Sequence, residues 1–188
     1  MSGFLTEHER AVIDACADIL IPPIDAHPGG RALGVTDYID GTLGAFSVDP
    51  PRIYAGGPFS GRNGGEASFA SFMPLSAHEE LAWRTRIEGS LGKPEREFNG
   101  PVRGWQQIYR DGIAALGADF GDIDQTEQLQ RLRAQREFRD LLYQHACEGA
   151  YGAPEYGGNR DLVGWRAIEF GGDSQPRGFT DHEVSSRD

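Results

Sequence analysis

Apolar residues recur along this chain at helical spacing, and the runs are separated by Gly, Pro and Asp. Val12, Ala15, Cys16, Ile19 and Leu20 form one helical face. Thr6-Glu7-His8-Glu9 ahead of it is a capping box, with Thr6 as N-cap and Glu9 at N3. Ile21-Pro22-Pro23 stops that helix. A second helix is expected over residues 35–43, with Tyr38, Ile39 and Leu43 inward. Ser76-Ala77-His78-Glu79 is another capping box and opens a helix to about residue 91, with Leu81, Ile87 and Leu91 apolar. A helix over 102–118 carries Trp105, Ile108, Tyr109, Ile113 and Leu116, with Pro101 fitting its first turn. One long helix is expected from about residue 124 to 148, on Leu129, Leu132, Phe138, Leu141 and Leu142. Strand alternation of comparable strength is missing. The pattern predicts an all-α fold: a single helical domain, residues 1–170, of about five to six helices with long irregular loops. A tail at 171–188 lacks periodicity and is expected to be flexible.

Two segments stand outside the helical pattern. Residues 47–74 form a long irregular stretch holding Tyr54, Phe59, Arg62, Phe69 and Phe72. So long a loop in a compact domain is usually functional or disordered, and its aromatics argue against disorder. The second segment follows the long helix: Glu148-Gly149-Ala150-Tyr151-Gly152-Ala153-Pro154-Glu155-Tyr156-Gly157-Gly158-Asn159-Arg160-Asp161-Leu162-Val163-Gly164-Trp165. Gly149 and Gly152 stop the helix, and Pro154 prevents its resumption. Gly157-Gly158 allows positive φ. Asn159 is placed to cap a short new helix, with Asp161 in its first turn. The segment reads either as a capped turn docking Trp165 onto the core or as a rigid surface presenting Tyr151, Tyr156, Asn159, Arg160 and Trp165. The two are compatible, and aromatics and Arg are common interface anchors.

This last run resembles the C-terminal signature of the gluconate 2-dehydrogenase subunit 3 family. The order of first helix, Ile19-Leu20-Ile21-Pro22-Pro23-Ile24-Asp25 and then Gly is similar to the family's N-terminal half. The resemblance implies a small helical subunit that binds, stabilises and helps mature an FAD-dependent catalytic partner of the glucose-methanol-choline type. That complex would oxidise a sugar, polyol or other secondary alcohol and pass electrons to an external acceptor, a cytochrome subunit in some relatives. It also implies that this chain holds no cofactor, the FAD residing in the partner. The expected partner-binding residues are Tyr54, Phe59 and Arg62 of the long loop with Tyr151, Tyr156, Asn159, Arg160 and Trp165. Two readings from other classes stay open: a stand-alone helical enzyme, and a binding module with an unrelated partner.

Composition narrows these choices. The chain has 188 residues and a net charge of -11, which disfavours nucleic-acid and anionic-membrane binding. No apolar run approaches membrane-spanning length. The start of the sequence shows neither a secretory pattern nor the twin-arginine pair carried by many relatives. A cytoplasmic location is therefore expected, with the periplasm or cell envelope the alternative if a partner exports it. Cys16 and Cys147 both lie on apolar helix stretches and are expected to be buried free thiols.

Tests for chemistry in the chain itself are negative. No G-x-G-x-x-G joins a strand to a helix, and the glycine-rich stretch from Gly56 to Gly65 has Arg62-Asn63 where a phosphate loop needs Lys-Ser/Thr. Asp119, Asp122 and Asp124 lack the later Glu of a calcium loop. His8, His27, His78, His145 and His182 are scattered, and His145 lies near a helix end where a cation is mildly favoured.

Overall fold

A computed structural model of the chain describes residues 3–25, 27–55 and 73–171. The expected contacts Phe59 and Arg62, the aromatics Phe69 and Phe72, the glycine-rich stretch, His182 and nearly all of the 171–188 tail lie outside these residues. The described residues form seven α-helices in one all-α arrangement: α1 (Glu7–Leu20), α2 (Val35–Leu43), α3 (Ala77–Glu88), α4 (Trp105–Leu116), α5 (Gln125–Ala134), α6 (Arg136–Tyr151) and α7 (Val163–Ala167). Short 3-10 turns join several of them.

Local chemistry sets the starts of α1 and α3. Both capping boxes form: the Thr6 and Ser76 hydroxyls accept from the Glu9 and Glu79 amides, and each Glu reaches back to its cap. Asp124 caps α5, accepting from the amides of Thr126 and Glu127. Asp119 pairs with Arg131.

Three helix boundaries differ from the sequence reading. Gly89 at φ +89° ends α3, because its backbone passes so close to Gly104 that no side chain fits at either position. Leu91 therefore leaves the helix and is exposed. For the same reason α4 starts at Trp105 with Gly104 as N-cap, and Pro101 lies before the helix. The long helix is in fact two, broken at Gln135 (φ -95°, ψ 67°). In an unbroken helix Phe138 would point about 120° away from Leu132. The break rephases the chain so that both are buried, with the Phe138 ring lying on Gly112 of α4.

α6 is central and packs against α1, α2, α4, α5 and α7, most extensively against α2. The core gathers Ile13 and Cys16 of α1, Ile39 and Leu43 of α2, Tyr109 and Leu116 of α4, Leu132 of α5 and Leu142 of α6. Burial pushes the Cys16 thiol up to about 12, so it stays protonated. Cys147 is only half-buried, not buried as expected from its apolar stretch. Gly149 lies within α6 and does not end it: its Cα faces the Tyr38 side chain, which a Cβ there would crowd at 3.0–3.2 Å. Gly152 is the C-cap.

Candidate interaction groove and the C-terminal turn

α6 ends in a turn held from inside by one residue. Asn159 is fully buried at φ +44°, and its amide nitrogen donates to the Gly152 carbonyl at 2.9 Å. Its side-chain oxygen accepts from the Gly164 amide at 2.9 Å and the Trp165 amide at 3.4 Å. Asn159 thus supplies the N-terminal cap of α7 from outside that helix, rather than capping a helix begun at Arg160. Its own N–H donates to the Gly149 carbonyl at 2.7 Å. That approach puts Gly158 so near the Gly149 carbonyl that a Cβ would collide with it.

Trp165 closes the turn. It is 6% exposed, and its indole N–H donates to the Tyr151 carbonyl at 2.6 Å. The Tyr151 hydroxyl shares a hydrogen bond with His27 at 3.0 Å, tying the end of α6 to the segment after α1. Arg160 is exposed and pairs with Asp37 of α2, which also receives Arg10 of α1. Burial pushes the Asp37 carboxyl up, but hydrogen bonds from Arg160 and Arg10 outweigh it and hold the group below its usual value. Asn159 and Trp165 therefore support the turn from within and present no free surface of their own.

Beside this turn lies a groove of about 410 Å³. Tyr38 and Thr42 of α2, Trp83 and Arg86 of α3, Trp105 of α4, Gln144 and Glu148 of α6, together with Arg52, Ile53, Tyr54, Gly152, Ala153 and Tyr156, contribute to its walls. Of the expected contact residues, the structure brings Tyr54 and Tyr156 together here; Tyr151, Asn159, Arg160 and Trp165 do not line it. Trp83 and Trp105 meet edge to face with centroids 6.1 Å apart. The Arg86 guanidinium lies over both rings, at 5.2 and 5.7 Å. Glu148 is tethered, accepting from the Tyr38 hydroxyl at 2.7 Å and the Gln144 amide at 2.9 Å. Burial first, then that carboxylate, pushes the Tyr38 phenol well above its ordinary value.

Sequence reasoning missed Trp83, Arg86, Arg52 and Glu148 as members of a common wall. The available signal was α3 itself, whose sole buried residue is Ile87, with Trp83 and Arg86 three apart on the same helix. A helix with so small a buried face usually has other work for its aromatics.

His145 sits behind the groove, fully buried. Its Nδ1 is 3.0 Å from the Tyr109 hydroxyl, Trp105 meets its ring at 4.6 Å, and Nε2 has no hydrogen-bond partner among the described residues. Burial lowers its pKa to about 4. It is a neutral core residue and not the helix-end cation that its position in the sequence suggests. Among the described residues no group of His, Cys, Asp or Glu is arranged to hold a metal ion. No helix among them is long and apolar enough to cross a membrane.

The fold is that of a small all-α protein with an aromatic groove beside its C-terminal turn. The chain belongs to the family described as Gluconate 2-dehydrogenase subunit 3, whose pattern matches residues 7–172. Membership makes it an accessory subunit of a dehydrogenase complex. Neither the curated proteins nor the solved structures give a significant match to the chain.

Proposed function

We propose that the chain is the non-catalytic small subunit of a flavin-dependent dehydrogenase acting on a sugar or other alcohol, and that it stabilises the FAD-loaded catalytic chain. The observation that carries this reading is family membership across residues 7–172. The turn held by Asn159 and Trp165, beside a groove rich in Trp, Tyr and Arg, supplies the kind of pre-organised anchor surface that a stable subunit contact uses.

The mechanism is linkage. A subunit that binds only the folded, FAD-containing state of a partner of glucose-methanol-choline type stabilises that state by about 2.7 kcal/mol when present at a hundred times its dissociation constant. The flavin and the substrate pocket then belong to the partner, and electrons leave to an external acceptor such as a cytochrome subunit. The complex is placed in the cytoplasm, or in the periplasm or cell envelope if the partner carries it there.

Purification of the tagged chain from its native cell tests the proposal. A yellow complex with flavin absorption is expected, with alcohol or sugar oxidation lost when the partner is removed. Turnover by the colourless, isolated chain would support the competing reading, a stand-alone helical enzyme, for which the groove has a suitable volume.

A further inference from the structure

The described arginines divide into two groups. Arg10, Arg31, Arg84, Arg96, Arg103, Arg110, Arg131, Arg136, Arg139 and Arg160 each have an acidic partner. Among the described residues Arg52, Arg86, Arg133 and Arg166 have none, although Asp and Glu number 29 against 18 Lys and Arg in the chain. Of these four, Arg52 and Arg86 line the aromatic groove, and both are exposed. In so acidic a chain, leaving two cations unpaired at one place makes a local positive site on a negative surface.

The surrounding residues sharpen its selectivity. Arg86 is held over the Trp83 and Trp105 rings, so its guanidinium is positioned before any ligand arrives. Glu148 is the carboxylate of the groove wall, and both its oxygens already accept hydrogen bonds from Tyr38 and Gln144. Two guanidinium groups line the same groove. Trp83 and Trp105 offer apolar faces beside the charge. Acidic motifs are read elsewhere by Arg clusters of this kind.

From this geometry we infer that the groove grips a carboxylate-bearing segment of the catalytic partner: an Asp, Glu or C-terminal carboxylate on Arg52 and Arg86, with a neighbouring apolar or aromatic side chain against Trp83 and Trp105. The inference rests on the proposed role as a subunit and names the surface and chemistry of that contact. The remaining surface, at net -11 for the chain, repels acidic segments, so only one that reaches this groove is held.

The test measures binding of the flavoprotein partner to wild type, to Arg52→Ala/Arg86→Ala and to Arg133→Ala, each across a range of salt. Arg133 is an exposed arginine of α5 outside the groove. The double variant removes only exposed side chains, and its melting curve checks that it folds. The expected result is at least tenfold weaker binding by the double variant at low salt, a flatter salt dependence, and wild-type behaviour for Arg133→Ala. Equal binding by the folded double variant overturns the groove assignment and leaves the subunit role standing. A wild-type chain that captures no flavoprotein overturns both. Self-association that the double variant abolishes, with flavoprotein binding intact, assigns the groove to a second copy of this chain and likewise overturns the inference.

Discussion

Asn159 concentrates more of the C-terminal structure than any neighbour, because one side chain serves the Gly152 carbonyl and the Gly164 and Trp165 amides. Asn159→Ala leaves these groups unsatisfied in a buried place. The expected cost is about 2–4 kcal/mol in chemical unfolding. Trp165→Ala is expected to cost about 3–5 kcal/mol. Its loss of partner binding would therefore be ambiguous, whereas Tyr156, which is exposed, is the cleaner probe of contact. His145 gives a pH signature. Its folded pKa, about 4, lies below the unfolded value near 6.5. The unfolded chain binds more protons between those values, so stability is complete above about 6.5 and falls as pH drops toward 4, by up to roughly 3 kcal/mol. His145→Gln should flatten that slope in pH-dependent melts; an unchanged slope would assign the acid sensitivity to other groups.

At the scale of elements, the capping boxes at Thr6 and Ser76 were legible because all their partners lie within three residues. The extent of α2 was legible for a similar reason, its apolar positions being locally periodic. The break at Gln135 was hidden, since it is decided by Phe138 finding Gly112 on another helix. The role of Asn159 was half legible: its residue type announced a cap, but which helix it caps depends on a positive-φ backbone that sequence spacing does not reveal. The groove was least legible, because its walls come from α2, α3, α4 and α6 and no local run contains them. Glycine substitutions separate these cases. Gly158→Ala meets the Gly149 backbone and should destabilise by about 3 kcal/mol or more, while Gly121→Ala meets nothing within 4 Å and should be near neutral. Paired denaturant curves for the two variants check this.

At the scale of the molecule, the loop between α3 and α4 matters as well. Ser90 and Val102 pinch its base through hydrogen bonds of 2.9 and 3.0 Å, and the buried Arg96 pins it to Glu88. It holds Phe98 out with 93% of its surface exposed. Phe98→Ala should change the stability of the free subunit by less than about 0.5 kcal/mol. If the same change weakens the complex, the loop belongs to the interface along with the groove. For the assembly, the partner is expected to retain more FAD when produced with this chain than without it, read as the flavin-to-protein ratio after purification.

The placement of the tryptophans has an optical consequence. The chain has three, with Trp83 and Trp105 edge to face in the groove and Trp165 sealed beneath the turn. Ultraviolet-excited emission from the groove pair should shift to the blue when a partner covers it, while the Trp165 contribution stays constant until the turn itself unfolds. Docking and unfolding would thus be recorded as separate spectral changes in unlabelled protein.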